Sequence, residues 1–415
     1  MQNILSRWNR RHFMSWAGLA SLWAGSSNSH NLCAASPDDK PRKGRGAGKG
    51  LYEQLGVRPL INAAGTFTTL SGCLMPREVV EAMDEASRHH ISISELQQAV
   101  GKRIAELVGS ESALVTAGAA AALTLGTAAC VAGKDQGKIL RLPDTTGMRN
   151  EVLIQRSHRF AYDHAVRAVG IKLIEVETRR QLESAINART ALLLFLNSAD
   201  PKGQIRRKEF VELGKRAGVP TFIDAAADVP PPERLSEYVR LGFDLVAFSG
   251  GKGLRGPQCS GLLLGRRELI EAAFLNGSPH SDTIGRLAKV GKEEIVGLWT
   301  ALELYLKRDH KAERREWETR VREIAGALEN LRGVKTETFV PEIANESPHL
   351  RVRWDEGIIP KKNADVVRLL RDGEPRIEVR PSGGGQPVVE VAVWMLQPDE
   401  HRIVAKRLRQ VLERA

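Results

Sequence analysis

From about residue 112 onward, short runs of apolar residues alternate with segments in which apolar positions recur every three or four residues. The runs ALVTAG, EVLIQ, KLIEVE, TALLLFLN, PTFIDAA, DLVAFSG and GLLLG predict strands. The intervening AAAALTLGTAACVAG, YDHAVRAVG, RRQLESAIN, RKEFVELGKRAG and ERLSEYVRLG predict helices. Strands without polar alternation are covered on both faces, so the pattern predicts an α/β fold with a mostly parallel sheet between two helical layers. The last third changes character. A charged helical pattern from about Glu293 to Arg332 predicts one long helix, followed by strand-like TETFVPE, HLRVRWD, RIEVRP and VVEVAVWML and a closing helix, EHRIVAKRLRQVLER. Residues 51–290 are therefore expected to form a large domain with an N-terminal arm. Residues 291–415 are expected to form a long helix leading into a smaller α+β domain.

The chain before Leu51 has a different composition. Residues 36–50, SPDDKPRKGRGAGKG, read as a flexible linker. Residues 1–35 carry Arg10-Arg11, then Phe13, a Gly- and Ala-rich apolar stretch and Cys33-Ala34-Ala35, which together resemble a twin-arginine signal with a cleavage site. Export in folded form is the localisation this predicts, with the cytoplasm as the alternative if the leader has another role. No run of about 20 apolar residues follows, so no membrane span is expected. The formal net charge of +11 suggests a polyanion partner, yet eight Lys/Arg and two Asp in the first 50 residues account for +6 of it. Only 5% of residues are aromatic, and an interleaved basic and aromatic surface is not evident, so nucleic-acid binding is disfavoured. The four cysteines are widely separated, without metal-ligand spacing.

The chemistry concentrates in FSGGKGLRGPQCSG, which places Lys252 in a bed of glycines between two apolar strands. A lysine so placed suits a Schiff-base nucleophile better than a solvated surface charge. Asp224 ends the predicted strand TFID and lies 28 residues before Lys252, the span of one strand-helix-strand unit. An amine for an aldehyde and an anion for a ring nitrogen, on neighbouring strand ends, are what pyridoxal 5'-phosphate (PLP) requires. Upstream, Thr116-Ala-Gly118-Ala119 follows a strand and opens a helix, a geometry that offers backbone N–H groups to a phosphate, although small residues at a helix start also serve close packing.

Taken together, INAAGTFTT, ISELQ, TAGAAAAL, RFAYDHAVRAVG, FIDAAAD, SGGKGLRGPQCSG and IGRLAKVGKEE resemble the L-seryl-tRNA(Sec) selenium transferase superfamily of fold-type-I PLP enzymes. They look most like its shorter members, similar to D-glucosaminate-6-phosphate ammonia-lyase. The resemblance spans nearly all of the chain after the linker. It implies that Lys252 holds the cofactor aldehyde, Asp224 pairs with the pyridine nitrogen, Gly118 and Ala119 offer N–H groups and Ser249 a hydroxyl to the phosphate, and Ala226 packs on one ring face. His158 or Tyr162 is expected on the other face, and the sequence does not choose between them. Arg286 and Lys289, with Lys292 nearby, form a basic loop for a cofactor phosphate or a substrate anion, and Arg380 at the end of RIEVRP is the candidate for a substrate carboxylate.

The resemblance implies a PLP-dependent lyase or transferase acting on a small amino acid or amino sugar acid, with α,β-elimination favoured. A selenium transferase-like or aminotransferase activity is the alternative, and a non-catalytic binding protein on the same fold is a second one. Fold-type-I sites form at subunit interfaces, so a homodimer or larger homo-oligomer is implied. A tRNA partner is disfavoured because the part after the leader is only modestly basic.

Overall fold

The computed structural model describes residues 50–381 and 385–413, so the expected signal and nearly all of the linker lie outside the described residues. Contacts divide the chain into the units Met1–Arg58 and Pro59–Ala415. In the first, the described part contains the short helix Leu51–Gln54, none of whose residues is buried.

The second unit carries two sheets. The seven-stranded sheet runs β2-β8-β7-β6-β5-β3-β4, with β2 Ser112–Thr116, β3 Glu151–Gln155, β4 Lys172–Val176, β5 Thr190–Leu196, β6 Thr221–Asp224, β7 Leu245–Ser249 and β8 Gly261–Gly265. β4, β3, β5, β6 and β7 pair in parallel, and β8 pairs antiparallel with both β7 and β2. The continuous apolar runs are explained by burial on both faces. Leu193, Phe195, Ile223, Val246 and Phe248 enter one core, while Leu192, Leu194, Phe222, Leu245 and Ala247 enter the other. Each of these side chains other than Ala247 contributes about 2 kcal/mol of transfer free energy, so a strand carrying several of them is fixed in register by both layers at once.

The five-stranded sheet runs β1-β11-β12-β10-β9, with β1 Ile61–Ala63, β9 Val334–Phe339, β10 His349–Trp354, β11 Ile377–Pro381 and β12 Val388–Ala392. β1, far away in sequence, joins its edge by pairing in parallel with β11. The expected single helix from 293 to 332 is two helices, Lys292–Lys307 and His310–Leu328. Arg308 is extended and the Asp309 carboxylate accepts from Ala312 N at 2.9 Å, an N-cap that starts the second helix afresh. The break separates two cores. Ile295, Leu298, Leu302 and Tyr305 pack with the large sheet, whereas Trp317, Val321, Ile324 and Leu328 pack with the small one. The run VVEVAVWML also divides, with β12 ending at Ala392 and buried Trp394 lying in the following turn. Among the described residues no helix is long and apolar enough to cross a membrane.

Candidate active site

Strand register decides which residues meet at the carboxyl edge of the large sheet. Asp224 closes β6 opposite Leu196 of β5 and Ala247 of β7. Ser249 closes β7 opposite Gly261, which in turn faces Thr116 at the end of β2. The helix Gly118–Ala132 begins at this edge with no side-chain cap, so its first N–H groups and its dipole are available to an anion. Strand and helix meet backbone to backbone: a Cβ on Gly261 would stand 2.7 Å from Ala119 N.

The lysine loop folds on itself just beyond Ser249. Gly250 N donates to Ser260 O and Gly256 N to Gly250 O, both at 2.9 Å. Lys252 O accepts from Arg255 N at 3.0 Å, with Arg255 held at a φ of 58°. Non-glycine residues resist that conformation, and here the Arg255 guanidinium is anchored by donating to Trp394 O at 3.1 Å. A Cβ on Gly253 would meet Val229 O at 2.1 Å, which shows how tightly the loop lies against the segment that follows Asp224.

The segment after β1 covers this loop. The Asn62 side chain ties the INAAG turn by accepting from Ala64 N and Gly65 N, both at 3.1 Å, and donating to Gly65 O at 2.9 Å. Farther on, Gln258 Nε2 donates to Thr68 O at 3.0 Å and Cys73 Sγ to Gly256 O at 3.5 Å. The chain from Thr68 to Cys73 is thus bonded to the Gly256–Gln258 end of the lysine loop.

Burial sets the electrostatics. It pushes the Lys252 ammonium below the usual lysine range, and the carboxylates of Asp224 and Asp228 pull it back. Burial likewise pushes Asp224 up, opposed by the Ala226 N–H at 2.9 Å and by the charge of Lys252. Behind the pair stands a buried network that sequence reasoning did not single out. Asp228 Oδ2 accepts from Asn197 Nδ2 at 2.6 Å and from the Tyr238 hydroxyl at 2.9 Å. Burial raises Asp228 to about 7, with the negative charge of Asp224 adding to the rise and the bonds from Tyr238 and Asn197 opposing it. The second Asp of FIDAAAD was its only sequence signal, since Asn197 and Tyr238 come from distant segments.

The remaining expected residues fall into separate places. Ala226 and Ser249 are half-buried beside Asp224 and the lysine loop. His158 is fully buried: Nδ1 accepts from Leu196 N at 3.2 Å, Nε2 meets Gln155 Nε2 at 3.1 Å, and the ring stands edge-on to Phe195. Burial, helped by Arg206, lowers it to about 4. Tyr162 is 61% exposed. Arg286 and Lys289 are exposed, and Lys292 pairs with Glu293. Arg380 lies over the Phe67 ring at 5.3 Å, its Nη1 3.9 Å from Glu390, and its buried Nε has no partner among the described residues. A separate cavity of about 810 Å³ opens at the β2 edge, lined by Gln97, Lys102, Glu111 and Phe274 among others, and includes none of these site residues.

A buried amine with a depressed pKa, a buried carboxylate beside it and an uncapped helix start on one sheet edge fit PLP in its three demands: imine formation, a charge at the ring nitrogen and phosphate binding. Fold and site together define a fold-type-I PLP-dependent enzyme. The sequence model of the L-seryl-tRNA selenium transferase family matches residues 60–332, and the chain belongs to that family. It is 32% identical to a 5'-C-glycyluridine monooxygenase-decarboxylase of Streptomyces sp over 87% of this chain and 92% of the relative. It is 31% identical to the D-glucosaminate-6-phosphate ammonia lyase of Salmonella typhimurium over 88% of this chain and 98% of that one. A solved structure of D-glucosaminate-6-phosphate ammonia-lyase superposes with a TM-score of 0.78 at 30% identity, covering 88% of this chain and 99% of the other.

Proposed function

We propose that this enzyme catalyses α,β-elimination on a small amino acid or amino sugar acid that carries a β-hydroxyl, releasing ammonia and a keto acid. The observation that carries the reading is the buried Lys252–Asp224 pair at the sheet edge, with Asp228 behind it. Bound PLP supplies the electron sink for a Cα carbanion. Lys252 would hold the cofactor and, as a free amine, would take the Cα proton of the substrate. Its depressed pKa favours the neutral amine that this step needs. Asp224 would pair with the ring nitrogen and favour its protonated form. The β-hydroxyl leaves as water, and hydrolysis of the released enamine consumes one water and gives the keto acid and ammonia.

Gly118, Ala119 and Ser249 are proposed to hold the phosphate, and Ala226 to pack on one ring face. Tyr162, whose ring is exposed, is proposed to cover the other face, because the His158 ring is buried edge-on against Phe195. Arg380 takes the substrate carboxylate, and Arg286 and Lys289 take a more distant anion. A phosphorylated amino sugar acid, as named for the ammonia lyase relative, satisfies both anion sites. A second copy of the chain is proposed to complete the site, consistent with Phe67, Leu74, Val80 and Ile91 exposing apolar side chains in the segment that covers the lysine loop and the chain just after it. Export through the twin-arginine leader is proposed on the sequence of residues 1–35.

The family match favours, as a second reading, capture of the dehydrated substrate by a selenium nucleophile. Incubating the PLP-loaded protein with β-hydroxy amino acids and amino sugar acids, and measuring keto acid and ammonia, tests the first reading. Equal amounts of both, lost in Lys252→Ala, support it; no release, together with salt-resistant tRNA binding, favours the second.

A further inference from the structure

Three buried polar atoms of the small domain lack partners among the described residues: Arg380 Nε and His349 Nε2 on the small sheet and Trp394 Nε1 in the turn after β12. Unpaired buried donors and acceptors cost stability, so a cluster of them calls for an explanation. Register brings them together. His349 of β10 faces Ala392 of β12, and Arg380 of β11 faces Glu390 of β12. Alternation along β12 then puts all four side chains on the same face. Ala392 Cβ, Arg380 Nη2 and Trp394 Nε1 all lie 3.9–4.0 Å from the point where a Cβ on Gly65 would stand, so they converge on the Gly65 turn, and Thr68 and Cys73 farther along the same segment bond the lysine loop.

The cluster is tied to the catalytic edge from two sides. Arg255 of the lysine loop donates to Trp394 O at 3.1 Å, and Asn345 N donates to Ala227 O at 2.7 Å, just beyond Asp224. The polarity of each atom is fixed. Arginine and indole nitrogens only donate. His349 Nδ1 lies 2.7 Å from Ser347 O, which can only accept, so Nδ1 carries the proton and Nε2 of the neutral ring presents a lone pair. Burial holds that ring neutral by pushing its pKa below the usual histidine range, and the nearby Arg380 charge acts the same way. Glu390 Oε1 is engaged by Arg351 at 3.0 and 3.2 Å, and its Oε2 stands 3.9 Å from Arg380 Nη1, which leaves Arg380 Nε without a partner among the described residues.

We propose that this cluster is a subsite for a hydroxy acid: Arg380 and Trp394 donate to the substrate carboxylate, and His349 Nε2 accepts from a hydroxyl of the same molecule. The proposal rests on the assignment of Arg380 to the carboxylate made above and adds the reason why a hydroxylated acid is selected over a plain one. An acid without the hydroxyl leaves the His349 lone pair buried and unpaired, and sites of that kind reject such analogues.

The test uses D-gluconate and hexanoate, which have carboxylates but no amine and so do not react at the cofactor. Calorimetry on the PLP-loaded enzyme measures the ratio of their affinities. Asparagine at 349 retains a donor for Ser347 O but cannot reach the Nε2 position, whereas glutamine can reach it. His349→Asn is expected to lower the gluconate preference about 10-fold and His349→Gln to restore most of it, while Trp394→Phe weakens both acids alike. An unchanged ratio in His349→Asn overturns the proposal. Should that variant fail to fold, the ¹⁵N shift of His349 Nε2 in labelled wild-type protein serves instead. Movement from the unprotonated position on adding gluconate but not hexanoate supports the proposal, and no movement overturns it. Gluconate selectivity without elimination activity would sink the reaction proposed above and leave the subsite standing. Elimination without selectivity would do the reverse.

Discussion

The carboxyl edge of the large sheet and the Arg380 face of the small sheet handle buried polarity in different ways. At the large sheet the charges compensate one another: Lys252 feels Asp224 and Asp228, and Asp228 is bonded by Asn197 and Tyr238. At the small sheet and the turn after it, Arg380 Nε, Trp394 Nε1 and His349 Nε2 are buried without partners among the described residues, although Arg380 Nη1 stands 3.9 Å from Glu390. Under the proposed function the first arrangement would maintain the protonation states of Lys252 and its acid partner, and under the proposed subsite the second would meet a ligand from outside. Each region should then fail in its own manner when perturbed.

The largest effect is expected at Lys252. Lys252→Ala should lower turnover by at least about 10³-fold, as expected when a covalent and proton-transfer group is removed, and steady-state keto-acid release measures it. Asp224→Asn comes next. Without an anion at the ring nitrogen turnover should fall about 10²- to 10³-fold while PLP still binds, which a visible spectrum beside the rate assay will show. On the small sheet, Arg380→Met should raise KM about 10- to 100-fold and leave cofactor loading intact. A comparable loss of PLP binding in that variant would erase the distinction between the two regions.

The smallest effect concerns stability. The folded-state pKa of Asp228 is raised to about 7 from an ordinary carboxylate value near 3.8. Its contribution is therefore fully present below pH 3.8 and is lost as pH rises through about 7, where the buried group must ionise. Asp228→Asn keeps an oxygen to accept from Tyr238 but cannot ionise. On cofactor-free protein, its melting temperature relative to wild type should increase between pH 5 and pH 8. A pH-independent difference would mean that Asp228 ionises without penalty.

The same contrast explains what the sequence disclosed. The large sheet was legible because a strand buried on both faces shows as an unbroken apolar run, and because Lys252, Asp224 and Gly118 each stand at the junction of such a run with a turn. The network of Asp228, Asn197 and Tyr238 was not legible, since three ordinary residues meet only after β5, β6 and the helix Arg234–Leu241 have packed. In the small sheet, Arg380 was noticed as a strand-end arginine, whereas His349 and Trp394 were not. Their relation depends on cross-strand register, which local periodicity does not encode. The break at Arg308–Asp309 was hidden for a related reason: one charged helical pattern continues across it, and only the Asp309 cap and the change of core mark the boundary.

The central claim is that Lys252 is the residue through which PLP is held beside Asp224. Borohydride reduction of the PLP-loaded protein, followed by digestion and mass spectrometry, tests it most directly. The account predicts a single phosphopyridoxyl group on the peptide containing Lys252, absent from Lys252→Ala. Reduction that leaves Lys252 unmodified, or attaches the cofactor to another lysine in the wild-type chain, would contradict it.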